Sequence, residues 1–125
     1  MAEAIFLTKA KRNLQAAQLL FDHQMYDESA NRAYYAVFQA ALAAVSTVGM
    51  QVEGMSHEAV QSTFNNEFIH RRKIYPGHLK SYLSELLGIR NSADYKAKFT
   101  SKKVALKQLK KAEEFVEKVK QEMSK

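Results

Sequence analysis

Apolar positions recur every three to four residues through most of the chain, which predicts helices rather than strands. The first stretch runs from about Ala2 to His23. Leu7, Ala10, Leu14, Ala17 and Phe21 line one side, while Lys11, Arg12, Gln15 and Asp22 fall elsewhere. The second runs from about Asp27 to Val48, with Asp27 as N-cap or first-turn acid and Gly49 as stop. Its stripe is Ala30, Ala33, Tyr34, Val37, Ala41, Ala44 and Val48, flanked by Tyr35, Phe38 and Leu42. That covers more than half the circumference, so this helix is expected to be central.

A loop at Gln51 to Met55 precedes a third helix, His57 to about Arg72, capped by Ser56 and carrying Glu58 near its positive end. Val60, Phe64, Phe68 and Ile69 form its apolar side. Tyr75-Pro76-Gly77 reads as a turn. A fourth helix follows from about His78 to Ala93. The last starts at Thr100 or Ser101, with Ala105, Leu109, Ala112, Val116 and Val119 inward. Long helices joined by short loops favour antiparallel neighbours. The expected fold is therefore all-α, an up-and-down antiparallel bundle of four long helices plus one shorter helix, in a single domain over residues 1–125.

Arg90 interrupts this pattern. Leu79, Leu83 and Leu86 define the fourth helix's apolar stripe, and Arg90 falls within about 20° of its centre. A guanidinium stays charged, and burying it unpaired is costly. Arg90 must therefore find acceptors or sit where the stripe opens into a cleft. One answer is structural, an i to i+4 bond to Asp94; the other is functional, an anion-binding arginine. Asn31, Tyr34 and Tyr35 pose the same question on the second helix, because buried Asn and Tyr need partners. Arg90, Asn91 or Asp94 would supply them if the second and fourth helices pack side by side.

Composition narrows the chemistry. One proline and four glycines in 125 residues leave little for the turns of a β-protein. Cysteine is absent, which excludes disulfides, thiolate metal sites and a thiol nucleophile, and fits a cytoplasmic protein. No signal peptide is read at the start. The longest nearly apolar run, Ala40 to Val48, falls far short of the ~20 residues of a membrane span, so no membrane partner is expected. His23, His57, His70 and His78 show no metal-ligand spacing. There is a single Glu-x-x-His, Glu67 and His70, where a di-iron bundle needs two such motifs plus two further carboxylates. No Gly-rich loop precedes a helix. Neither a metal nor any other cofactor is expected.

The net charge of +6 is uneven. Residues 1–95 balance nine basic against nine acidic side chains, so all the excess lies in residues 96–125. Seven lysines and no acid lie between Lys96 and Lys111. On the last helix Lys103, Lys107 and Lys110 share the face opposite Ala105, Leu109 and Ala112. Such a run is either a solvated face or an electrostatic footprint for a polyanion such as RNA.

Tyr26-Asp27-Glu28-Ser29-Ala30-Asn31-Arg32-Ala33-Tyr34-Tyr35-Ala36-Val37-Phe38 and Ile89-Arg90-Asn91-Ser92-Ala93-Asp94-Tyr95 together resemble the signature of HEPN domains (higher eukaryotes and prokaryotes nucleotide-binding). The opening segment with Ala10, Leu14, Ala17 and Leu20 and the closing Ala112 to Val116 also fit. The resemblance implies a helical bundle that dimerises, with the fourth-helix Arg in a cleft near its counterpart. It implies nucleotide or RNA binding at Arg90 and Asn91; Asn31 and Tyr34 are the further candidates from their place on the second helix, and Lys103, Lys107 and Lys110 are the candidate RNA contact from their charge. The resemblance also implies partnership with a minimal nucleotidyltransferase, as in prokaryotic two-gene toxin–antitoxin systems.

Many members of that family are metal-independent ribonucleases, with an Arg, usually a polar residue, and a His a few residues later. Arg90 and Asn91 match the start. The His is missing, and Asp94 or Tyr95 occupies its region. Tyr95, with a reference pKa near 10, is a poor general base at pH 7. Asp94 accepts a proton only weakly unless burial raises its pKa. The resemblance thus implies a binding domain with a degenerate ribonuclease motif. The alternative is an active endoribonuclease toxin using Arg90, with Asn91, Asp94 and Tyr95 as the further catalytic candidates.

Overall fold

The computed structural model describes residues 2–125. It is all-helical, with α1 Ala2–Asp22, α2 Tyr26–Ser46, α3 His57–Phe64, α4 Tyr82–Tyr95 and α5 Lys102–Met123, and no strand among the described residues. A π-helical segment, Asn65–Arg71, continues α3, and a 3-10 segment, Gly77–Ser81, leads into α4.

The predicted caps act at two starts. Ser56 Oγ accepts from the Ala59 N–H at 3.0 Å and Ser101 Oγ from the Val104 N–H at 3.1 Å. Each supplies an acceptor to a first-turn donor that has no intrahelical partner. Asp27 is a first-turn acid rather than a cap, since α2 opens at Tyr26 after Met25. Gly49 stands beyond α2 at φ +76°, a left-handed turn that an L side chain adopts only with strain.

The stripes pack as their spacing predicts. Ala30, Ala33, Tyr34, Val37, Ala41 and Ala44 of α2 are buried, as are Leu79, Leu83 and Leu86 and the five inward positions named on α5. α2 packs against α1, α3, α4 and α5, the central place its broad apolar surface implies. Arg32 reaches back to Asn13, Asn31 to Asp94, and Glu114 to Tyr82. A second contact fixes each direction: Ser29 bonds Ala17, Tyr35 bonds Arg90 and Glu85 pairs with Lys111, so ascending one helix descends its neighbour and α1–α2, α2–α4 and α4–α5 are antiparallel.

Small residues form the α1–α2 seam. Ala10 and Ala17 of α1 are fully buried, as are Ala33, Ala36, Ala40 and Ala43, at helical spacing on the side of α2 that carries Ser29. Ser29 is itself fully buried, and its hydroxyl donates to the Ala17 carbonyl at 2.8 Å.

The third helix departs from its predicted length of regular α-helix. At Asn65 it widens into the π segment, where Arg72 N–H bonds Glu67 O at 3.0 Å. Lys73, at φ +53°, then turns the chain so that Ile74 N–H meets Phe68 O at 2.8 Å. The widening turns Asn65, Phe68 and Ile69 inward together. Phe64 anchors the aromatic centre, with ring centroids 5.0 Å from Phe115 and 5.2 Å from Tyr75.

Candidate functional site

The face of α2 that carries Asn31, Arg32 and Tyr35 meets the last turns of α4, and there the polar residues of both signatures converge. Asn31 is the pivot. Its Nδ2–H donates to Asp94 Oδ2 at 2.9 Å, and its Oδ1 accepts from Arg32 Nε–H and Nη2–H at 2.9 and 2.6 Å. Arg32 Nη1–H also donates to Asn13 Oδ1 of α1 at 3.2 Å. The intermediate position of Asn31, between the main stripe and its flank, therefore places it at a polar seam.

Arg90 closes the network from α4. Its Nη2–H donates to the Tyr35 hydroxyl at 3.1 Å, and its Nη1–H to Asn91 Oδ1 at 3.1 Å. Its Nε lies 3.0 Å from Asp94 Oδ2, with 19% and 25% of the two side chains exposed. The Nε–H is not aligned with that oxygen, so the two are held by charge and the buried Nε lacks a hydrogen-bond partner among the described residues. The pairing with Asp94 anticipated from i to i+4 spacing is thus present, and Tyr35 adds a second anchor.

Two cations share one ring. The guanidinium carbons of Arg32 and Arg90 lie 4.8 and 5.5 Å from the Tyr35 centroid. Cation–π attraction and the hydroxyl together fix Tyr35 and both arginines. Tyr35 stands out in the sequence as a phenol that needs a partner such as Arg90, whereas Arg32 does not stand out as a site residue. The signal that was there is local: Arg32 and Tyr35 are three apart on one helix face, with Asn31 beside them.

Beside this network a groove of about 520 Å³ is lined by Leu20, Asp27, Glu28, Asn31, Arg32, Ala93 and Asp94. Its walls carry both signs of charge. Arg90 is held in place from two sides, while Nη1 and Nη2 each keep a second N–H that no described residue engages. A fixed guanidinium with free N–H groups is a ready receptor for a phosphate oxygen.

The other named residues lie elsewhere. Tyr34, 1% exposed, points inward, and its hydroxyl bonds His57 Nδ1 across the α2–α3 contact. Burial pushes the Tyr34 phenol well above its ordinary value, with Tyr35 adding to the effect and Arg90 opposing it. Asn91 is exposed. Tyr95 is 76% exposed, with Arg90 5.9 Å from its ring centroid.

Lys103, Lys107 and Lys110 project into solvent from α5, as the wheel predicts. They line a separate groove of about 470 Å³ with Tyr82, Leu106, Lys111 and Glu114. There Lys111 pairs with Glu85 and sits 5.5 Å from the Tyr82 ring centroid. Glu114 accepts from Tyr82 at 2.7 Å and lies 2.5 Å from His78 Nε2. Glu67, of the Glu-x-x-His pair, bonds Arg71 at 3.1 Å. Among the described residues no three His, Asp or Glu side chains converge as a metal ligand set, and no helix is long and apolar enough to cross a membrane.

Comparison with known proteins adds an independent line. The family model described as HEPN domain matches residues 4–122. "Putative toxin MJ0142" of Methanocaldococcus jannaschii is 30% identical over 97 residues, which are 78% of this chain and 64% of that protein. "Putative toxin MJ0605" of the same organism is 29% identical over 119 residues, 89% of this chain and 81% of that protein. "UPF0332 protein glr0978" of Gloeobacter violaceus is 36% identical over 58 residues, 46% of this chain and 44% of that protein. The chain thus spans just under two thirds of the first of these relatives.

Proposed function

The chain belongs to the HEPN domain family, and from that membership we propose that it binds a nucleotide or RNA phosphate at Arg90 and Asn91. It does so as the partner of a minimal nucleotidyltransferase, in a cytoplasmic two-gene toxin–antitoxin-like system. The relatives named as toxins support the biological setting. The observation that carries the reading is Arg90 itself, anchored by Tyr35 and Asp94 with N–H groups left to donate. Asn31 contributes by holding Asp94, and the exposed lysines Lys103, Lys107 and Lys110 add non-specific attraction for RNA. Two copies associate along α4 in this reading, bringing their Arg90 side chains near one another.

A second reading is an active, metal-independent endoribonuclease. Asp94 supports it as the carboxylate nearest Arg90, 3.0 Å from its Nε, in the region of sequence where the family's motif carries a His. General acid–base help of this kind is typically worth about 10²–10⁴-fold. Incubating the protein with labelled RNA in EDTA separates the two readings. The binding reading expects complex formation with intact RNA. Cleavage abolished by both Arg90→Ala and Asp94→Asn would establish the enzyme instead. Sedimentation at micromolar concentration checks the dimer, and a monomer alone would count against it.

A further inference from the structure

Tyr95 and Phe99 are the two most exposed large aromatic or aliphatic side chains among the described residues, at 76% and 91%. They stand four residues apart, at the end of α4 and in the loop before α5. Lys96, Lys98, Lys102 and Lys103 adjoin them in the sequence, and all four are exposed. The loop is anchored close to Phe99. Thr100 N–H donates to the Asp27 carboxylate at 2.7 Å, and Ser101 caps α5. An aromatic ring is therefore held in water on a fixed backbone, amid cations with no acid between Lys96 and Lys111. Leaving such a ring exposed forgoes the stabilisation its burial would give.

We propose that this segment, Tyr95 to Lys103, clamps single-stranded RNA, with Phe99 and Tyr95 stacking on unpaired bases while Lys96, Lys98 and Lys103 hold the adjoining phosphates. The inference rests on the RNA-binding reading above and adds the form of RNA bound and the residues that select it. Alternating aromatic faces and cations suit a strand whose bases are splayed out. A duplex keeps its base faces covered, so the same surface offers it charge alone. Tyr95 links the clamp to the signature site, since Arg90 lies 5.9 Å from its ring centroid.

The path of the strand follows from what flanks Phe99. On one side lies a groove of about 280 Å³ floored by Ile89, Ser92 and Val104, with Lys98 at its edge. The groove on the other side is bounded by Asp27 and Glu28, whose carboxylates repel phosphate. The strand therefore runs on the α4–α5 side, past Lys98 and Val104.

The test compares Phe99→Leu, Tyr95→Leu and the double variant, titrated by fluorescence anisotropy with a labelled single-stranded RNA 12-mer and with a blunt RNA duplex. Both rings are in solvent, so the variants are expected to melt as the parent does. Each single variant is expected to bind the single strand roughly five- to a hundredfold more weakly, as loss of one base–aromatic stack implies, and the double variant more weakly still. The salt slope and the duplex affinity should not change. A 2-aminopurine in the single strand is expected to be quenched on binding to the parent protein and less so by Phe99→Leu.

Unchanged single-strand affinity in the double variant, with weaker binding by Lys103, Lys107 and Lys110→Gln, overturns the clamp and leaves the RNA reading standing. Equal losses for duplex and single strand overturn stacking as the mechanism. Weaker self-association with unchanged RNA affinity overturns the clamp in favour of a protein contact. A parent protein that binds no RNA overturns both the clamp and the reading beneath it.

Discussion

The Asp27 carboxylate accepts a 2.7 Å hydrogen bond from the backbone N–H of Thr100, 73 residues further along the chain. This bond ties the start of α2 to the loop that carries Phe99 and Lys98. It is partly buried and charge-assisted, the stronger class of protein hydrogen bond. Asp27→Ala is expected to cost roughly 1.5–3 kcal/mol and Asp27→Asn less, since the amide keeps an acceptor oxygen. Urea denaturation measures the loss, and hydrogen exchange at the Thr100 amide locates it. An unaltered exchange rate in Asp27→Ala would mean the loop has other anchors.

Arg90→Ala removes the charge-assisted contacts and the free N–H groups together. Nucleotide or RNA affinity is expected to fall by roughly 1.5–3 kcal/mol, about ten- to a hundredfold. The melting temperature should fall less, because Asp94 retains the Asn31 donor and is partly open to water. Tyr35→Phe keeps a ring for both guanidinium groups and deletes only the hydroxyl, so the expected loss is roughly 0.5–1.5 kcal/mol. Calorimetric titration beside thermal melts compares the two. Strong destabilisation by Arg90→Ala with binding intact once folded would make Arg90 a structural residue.

The α5 lysines give a prediction that salt reads out. Each lost phosphate contact flattens the log–log dependence of single-strand affinity on salt by roughly 0.7. Replacing Lys103, Lys107 and Lys110 together by Gln should flatten it by roughly 2 if all three act. The measurement is an RNA titration at several salt concentrations. Identical slopes would assign these lysines to solubility or to a protein partner.

The His78, Tyr82 and Glu114 cluster sets a pH dependence of stability. The His78 hydrogen bond, with that of Tyr82, holds the Glu114 carboxyl below its ordinary value, and Lys111 does the same for Glu85. A carboxyl depressed in the folded state contributes stability above its unfolded pKa and loses it as pH falls through the folded one. Stability should therefore decline as pH drops below the ordinary carboxylate range, and Glu114→Gln should weaken that decline. At the other end, burial first and then the Glu114 hydrogen bond push the Tyr82 phenol up to about 12. Its contribution is complete below the unfolded value near ~10 and is lost as pH rises through the folded one. Melting temperatures across pH, with Tyr82→Phe as control, check both limbs.

The helical stripes were readable because burial on one face leaves a period in the sequence. Arg90 was readable for the same reason, as a charge at the centre of such a stripe. The π segment was not. Phe64 and Phe68 keep ordinary helical spacing, and the widening depends on Ile74 and Tyr75 N–H groups returning to Phe68 O after Lys73 turns the chain. The 3-10 entry to α4 was hidden likewise, since Leu79 falls on the same stripe in either helix type. Tyr35 was readable as a phenol in need of a partner on α4, but Arg32 was not, since its place over the Tyr35 ring beside Arg90 appears only once α4 is laid against α2. Tyr34 beside Tyr35 was ambiguous because neighbouring residues on a helix diverge by about 100°. One phenol turns to His57 in the interior and the other to the seam.

The alanine seam between α1 and α2 has a kinetic consequence. Alanine has no side-chain rotamers to freeze, so docking these surfaces loses little side-chain entropy beyond that of the backbone. The two helices are also consecutive, joined by a turn of three residues, His23 to Met25. Low loop-closure cost and local contacts are what make helical hairpins assemble quickly. The α1–α2 pair is thus the expected folding nucleus, formed before α4 arrives. Mutations of Ala17 or Ala36 to larger residues should slow folding, whereas truncations at the α4 seam should chiefly speed unfolding.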